Sequence, residues 1–368
     1  MFPAHIRPDI LAMPDVAYGL INPEDVAARH GLPAERIVKL DANENVYGPS
    51  PRTMAALAHA GAWEYYPDIS YRALYNALAG YTGAAPDQIV TGNGCDEIIQ
   101  LIVQLCLQPG EEAIDNAPSF SVYDWAIRIQ GARTVVVPRR REAGYDLDVA
   151  AVLKAITPQT RLVFICNPNN PTGGLTSQRD IETILQTGLL VAVDETYYEF
   201  SGVTMLPLQK RYPNLIIMRS LSKWAALAGL RLGYAIFAAD VARQVHKIRM
   251  PFNVNRAAYV AALASLADRD YLLANVARLV AERERLLQRL QEIPFLSCYP
   301  SHGNYILCDV RGGPARQLRD EVERQGVLIR AYVGSHLSNA VRVSVGKPEH
   351  SDAAVAALLT AGRRLNLL

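Results

Sequence analysis

The chain has 368 residues, half of them hydrophobic and a fifth charged, with a formal net charge of +1. That length is too great for one small core and points to two domains, while balanced charge argues against a nucleic-acid-binding surface. No stretch reaches the roughly 18–20 apolar residues of a membrane span, and prolines and acidic residues interrupt the N-terminal segment where a secretion signal needs an apolar run; a cytoplasmic protein is expected.

Residues 1–35 are punctuated by proline and read as an arm with one short helix near 23–30. From about 40 to 250, β-like runs alternate with helical stretches: QIVT, EAIDN, RTVVVP, RLVFIC, LLVAVDE, LIIMRS and RLGYAIF. Such alternation predicts an α/β fold whose mainly parallel sheet lies between helices. Residues 256–292 carry a long helical pattern, and NYILCDV, a helix around 314–325, VLIRAY, AVRVSVG and a terminal helix make a smaller α/β domain. The division is an arm (1–35) packing on the small domain, a large domain (36–255) and a small C-terminal domain (256–368).

The five cysteines are odd in number and far apart, so neither a disulfide framework nor a metal knuckle is expected, and a reducing compartment fits. Seven histidines show no metal-ligand spacing, and no metal site is expected. Arg139-Arg140-Arg141 reads as a short solvated loop.

Polar motifs follow the ends of several apolar runs. Gly92-Asn93-Gly94-Cys95-Asp96-Glu97 opens a helical stretch; Asn167-Pro168-Asn169-Asn170-Pro171-Thr172-Gly173-Gly174 follows RLVFIC; Asp194-Glu195-Thr196-Tyr197 follows GLLVAV. Open α/β sheets place their ligands at such strand ends. Ser220-Leu221-Ser222-Lys223, with Arg231 eight residues beyond the lysine, follows LIIMRS. A lysine held on a rigid element can condense with an aldehyde cofactor while hydroxyls and a guanidinium hold that cofactor's phosphate.

In this order the motifs resemble the fold-type I, pyridoxal-phosphate-dependent aminotransferases over nearly the whole chain. The resemblance implies a large domain with a seven-stranded sheet and pyridoxal 5'-phosphate bound as a Schiff base on Lys223, which also shuttles a proton as base and acid. Asp194 would keep the pyridine nitrogen protonated. Asn170 and Tyr197 match the family positions that hold the ring's phenolic oxygen, with Tyr198 pointing elsewhere. Gly94, Cys95 and Asp96 at a helix start, with Ser220, Ser222 and Arg231, would form the phosphate cup. Phe120 matches the residue that stacks on the ring, with Tyr123 packing nearby. Tyr66 resembles a tyrosine that reaches the phosphate of a neighbouring subunit, implying a homodimer with shared sites.

LDANENVYGPSP (40–51), SLSKWAALAGLRLGY and VRVSVGKPEH (341–350) resemble more closely the histidinol-phosphate aminotransferases, though Val46 stands where that family usually has proline. This implies amino transfer between L-histidinol phosphate and 2-oxoglutarate. Arg342 and Arg330 suit the anionic groups of these substrates as planar bidentate donors. Tyr18 and Asn43 match positions that close over the substrate. A relative acting on aromatic or other amino acids, or a threonine-phosphate decarboxylase-like enzyme, is the alternative, since the same lysine chemistry serves either outcome.

Overall fold

The computed structural model describes residues 5–13, 22–334 and 336–368. Pro23–His30 is the short helix expected in the arm: Asn22 caps it by accepting the Glu24 N–H, proline occupies its first turn, and Gly31 ends it in the left-handed region at φ 64°. Arg29 and His30 both reach Glu323 in the C-terminal half, at 2.8 and 3.2 Å. β1 (Val38–Lys39) follows.

The large sheet contains β2 (Ile89–Gly92), β3 (Glu112–Asp115), β4 (Arg133–Val136), β5 (Thr160–Cys166), β6 (Leu190–Asp194), β7 (Leu215–Ser220) and β8 (Gly233–Ile236). Their order is β2-β8-β7-β6-β5-β3-β4. All seven coincide with the predicted runs. β3 to β7 are parallel; β8 runs antiparallel to both its neighbours. The central strands read as unbroken apolar runs because both faces are covered. Val163, Ile165, Val191, Val193, Leu215 and Ile217 pack into one core with helices Arg72–Thr82 and Gln178–Leu185. Leu162, Phe164, Ala192, Ile216 and Met218 point the other way, into a core with helices Gly94–Cys106 and Ala239–Ile248. The direction of winding reverses between β3 and β5, so the loops after these two strands diverge and leave a crevice at their carboxyl ends.

The long helical pattern resolves into two helices, Arg256–Ala267 and Arg269–Gln291, broken at Asp268. The smaller sheet has order β12-β13-β10-β9, from β9 (Leu296–Cys298), β10 (Tyr305–Val310), β12 (Arg330–Tyr332) and β13 (Ala340–Ser344); β11 (Val327–Leu328) instead pairs in parallel with β1. That pairing, continued by Leu40 N–H to Leu328 O and Ser344 N–H to Leu40 O, both 2.9 Å, lays the segment after β1 along β13.

Two readings need correction. Cys298 and Cys308 lie directly opposite each other on antiparallel β9 and β10 and are joined as a disulfide, with Cα atoms 4.0 Å apart. Separation along the chain conceals such cross-strand register. Arg139 is buried, not solvated: its guanidinium donates to the carbonyls of Asn116, Tyr145 and Cys166, at 3.1, 3.4 and 3.5 Å. It satisfies backbone acceptors where β3 and β5 end, and only Arg140 and Arg141 of that cluster are exposed. Among the described residues, no helix is long and apolar enough to cross a membrane.

Candidate active site

Strand ends β5, β6 and β7 bring the motifs to one crevice. On the face away from it, Arg219 donates through Nε and Nη2 to Glu195 Oε2 at 3.0 and 2.9 Å, with both side chains almost fully buried. Removing one partner from such a pair costs about 3–5 kcal/mol. Because Glu195 follows Asp194 and Arg219 precedes Ser220, this pair holds the two strand ends in register beneath the crevice. Tyr198 lies on that far side too, its ring 3.7 Å from the Arg219 guanidinium carbon.

The helix Gly94–Cys106 starts at the crevice and offers the free N–H groups of its first turn. Gly94 sits at φ +79°, and a Cβ there would run into the Arg231 guanidinium; a Cβ on Gly233 would lie 2.5 Å from Cys95 N. Only glycines allow β8, the helix start and Arg231 to close up this tightly. Arg231 also pairs with Asp96 Oδ2 at 2.6 Å, which ties the guanidinium to the first turn of that helix. Ser220 Oγ accepts the Ser222 N–H at 3.1 Å, folding the turn that delivers Lys223. Cys95 Sγ donates to Arg219 O at 3.1 Å, and burial pushes its thiol up, so it is neutral and inert.

Lys223 Nζ donates to Ala42 O at 2.9 Å. Burial first, then the positive charge of Arg342, lowers its ammonium to about 8. An amine in that range is partly neutral near physiological pH and is a competent nucleophile. Asp194 is 3% exposed and forms no ion pair among the described residues. Its Oδ1 accepts the Thr196 N–H at 2.9 Å and its Oδ2 accepts the Tyr123 hydroxyl at 2.6 Å. Burial raises the carboxyl from its ordinary value, and these hydrogen bonds oppose the rise. Tyr123 is therefore more than packing, although it does stack on Phe164 at 4.6 Å and meets Phe120 edge-on at 5.7 Å.

Asn170 follows β5, with its N–H on Cys166 Sγ at 3.3 Å. Its Oδ1 accepts from Arg342 Nη1 at 2.6 Å, while Arg342 Nη2 donates to Asp41 O at 2.7 Å and Arg342 Nε is left without a partner. Tyr197 is buried and meets Tyr305 edge-on at 5.0 Å. Its oxygen accepts from Asn43 Nδ2 at 2.9 Å, and its own proton has no acceptor among the described residues. Arg330 lies directly opposite Arg342 across β12 and β13, so both side chains leave the same face. Both guanidiniums face the ring of Tyr332, at 5.7 and 5.9 Å, and neither has a carboxylate partner among the described residues. Two like charges so placed repel each other and call for an anion.

Lys223, Asp194, Asn170, Tyr197, Cys95, Ser220, Ser222, Arg231 and Arg342 thus gather at one crevice. Asn43 is 1% exposed, with both ends of its amide engaged, by Tyr197 and by Ser344. Tyr66 is 76% exposed and stacks on Phe252 of its own chain at 4.4 Å. Tyr18 lies outside the described residues.

These groups fit a phosphorylated pyridine aldehyde. A buried carboxylate lacks a cation, a buried phenol lacks an acceptor, a lysine is poised near neutrality, and a helix start with an arginine faces the same space.

A family model described as aminotransferase class I and II matches residues 35–359. Histidinol-phosphate aminotransferase of Roseiflexus castenholzii is 45% identical, covering 95% of this chain and 95% of that one. Chloroplastic histidinol-phosphate aminotransferase 1 of Arabidopsis thaliana is 42% identical over 94% of this chain and 83% of the relative. The crystal structure of histidinol-phosphate aminotransferase from Sinorhizobium meliloti, in complex with pyridoxal 5'-phosphate, superposes with a TM-score of 0.88 at 28% identity, covering 98% of each chain.

Proposed function

The chain belongs to the class I and II aminotransferases, and on that premise we propose that it transfers an amino group between L-histidinol phosphate and 2-oxoglutarate, in histidine biosynthesis. Its cofactor is pyridoxal 5'-phosphate. When bound, that group supplies an aldehyde carbon to capture amines and a pyridine ring to draw electrons from the substrate's α-carbon.

In this reading Lys223 Nζ holds the cofactor and, once the substrate amine displaces it, carries the proton that leaves the α-carbon. Asp194 keeps a proton on the ring nitrogen by supplying a buried negative charge. Asn170 and Tyr197 hold the ring's phenolic oxygen, and Phe120 covers the ring. The N–H groups of Gly94, Cys95 and Asp96, with Ser220, Ser222 and Arg231, hold the phosphate.

The observation that carries the substrate assignment is the pair Arg330 and Arg342, paired across the strands with no carboxylate partner among the described residues. The phosphate of one substrate and the carboxylates of the other each need a planar cationic donor. Replacing Arg330 with alanine is expected to raise KM for L-histidinol phosphate at least about tenfold, the value of one charge-assisted hydrogen bond, with a smaller change in kcat. Unchanged KM for both substrates removes Arg330 from the site.

The active unit in this proposal is a homodimer with shared sites. Trp63, Tyr65, Tyr66 and Met250 are all more than half exposed, an apolar surface that a second copy would cover. Tyr66 would reach the partner's phosphate cup. Mixing Tyr66→Phe protomers with Lys223→Ala protomers is expected to restore activity above that of either parent, because some hybrids hold one native site. No recovery on mixing means that each site is built from one chain. We place the enzyme in the cytoplasm, on the three free thiols Cys95, Cys106 and Cys166 and despite the single cross-strand disulfide.

A further inference from the structure

A chain of hydrogen bonds runs from the small sheet to Tyr197. Ser344, two residues past Arg342 on β13, accepts the Asn43 N–H at 2.8 Å and donates its hydroxyl to Asn43 Oδ1 at 2.9 Å. Asn43 Nδ2 donates in turn to the Tyr197 oxygen at 2.9 Å. The three residues are 1%, 1% and 3% exposed, so water does not compete.

The order of donors follows from counting protons. A serine hydroxyl has one proton, and Ser344 has no acceptor other than Asn43 Oδ1 among the described residues. That contact settles which end of the Asn43 amide is oxygen, and the –NH₂ end must then face Tyr197. The phenol oxygen is an acceptor on that side, so its own proton is turned away from Asn43. A flipped amide would present its oxygen to Tyr197 and take that proton for itself.

We propose that Ser344 and Asn43 are positioning residues that aim the Tyr197 hydroxyl proton into the cofactor crevice, where it donates to the cofactor's phenolic oxygen. The inference rests on the function proposed above and adds to it a reason for the direction of one proton. Asn43 is fixed for this task by its backbone too. It lies in the left-handed region at φ 53°, which asparagine tolerates better than most residues, and its carbonyl accepts from Asn304 Nδ2 at 2.9 Å. Burial holds the Tyr197 phenol well above its ordinary value, so the proton is present at working pH. Arg342 and Ser344 project from the same face of β13, so the strand that receives the substrate anion also sets the tyrosine's proton.

The test is the apparent pKa of the lysine-bound cofactor's absorbance band, titrated on loaded enzyme without substrate. Donation to the phenolic oxygen stabilises its negative charge and lowers the proton affinity of the adjacent nitrogen; losing the donation raises that pKa. Tyr197→Phe is expected to raise it by about one pH unit, the scale of one hydrogen bond to a charged oxygen. Ser344→Ala, which lets the amide flip, is expected to raise it in the same direction by about half as much, and Ser344→Thr to restore the native value. In the Tyr197→Phe background, Ser344→Ala is expected to add no further shift. A shift with Tyr197→Phe but none with Ser344→Ala overturns the relay and leaves the role of Tyr197 intact. A shift from Ser344→Ala that persists in the Tyr197→Phe background also overturns it, because the serine then acts by another route. No shift with Tyr197→Phe overturns the relay together with the assigned role of Tyr197. Loss of thermal stability in Ser344→Ala with an unmoved band makes the serine structural only.

Discussion

Lys223→Ala is expected to yield a folded protein that turns over about 10⁴-fold more slowly, the upper end of what a positioned proton-transfer group contributes. Stability is not the reason. Among the described residues Lys223 makes one hydrogen bond, to Ala42 O, worth about 1 kcal/mol against the 5–15 kcal/mol that hold a domain folded. What is lost is the amine. Borohydride treatment of the loaded wild-type protein is expected to leave the cofactor fixed to the Lys223 peptide, and the variant is expected to carry no label. The pH dependence has a definite sign. Only the neutral amine attacks, so capture of cofactor by the cofactor-free wild-type protein accelerates about tenfold per unit as pH rises toward about 8, then levels off. Wild-type turnover in the variant, or a label on another lysine, contradicts the assignment.

Asp194→Asn is the second large effect. The amide has the same shape and its oxygen still accepts the Thr196 N–H, so the fold and the covalent link to Lys223 are expected to survive. It cannot carry the negative charge that holds a proton on the ring nitrogen. Turnover is expected to fall about 10²–10³-fold, typical for removal of one preorganised electrostatic partner, with KM changed far less. The cofactor is also expected to dissociate more readily on dialysis. An unchanged kcat removes Asp194 from the mechanism.

The placement of the proposed site residues was legible in the sequence because strand ends and polar motifs coincide. RLVFIC, GLLVAV and LIIMRS are continuous apolar runs, which is what strands covered on both faces require, and the motif after each begins at the carboxyl end of its strand. What the chain order could not reveal depends on register and on direction across space. Arg139 resembles its exposed neighbours Arg140 and Arg141 until β3 and β5 are placed beside it, their last carbonyls needing donors. Cys298 and Cys308 become partners only once β9 and β10 are aligned. The break at Asp268 is hidden because helices on either side share one apolar pattern; no glycine or proline marks it. The hydrogen-bond partners of Asn43 on the small domain, Ser344 and Asn304, lie about 300 and 260 positions away and are invisible in its motif. Tyr123 reaches Asp194 from the first turn of the helix Val122–Ile129, a contact across space that its distance from Phe120 along the chain does not reveal.

The proposed substrate joins all of these parts, and it is tested most directly by one half-reaction. Purified, cofactor-loaded protein is mixed with L-histidinol phosphate in the absence of any keto acid, and the absorbance spectrum is followed. The expected result is complete conversion of the lysine-bound cofactor band to that of its amine form at low substrate concentration, reversed by 2-oxoglutarate. Conversion by glutamate or aromatic amino acids but not by L-histidinol phosphate, or release of carbon dioxide from a phosphorylated amino acid, contradicts the substrate assignment.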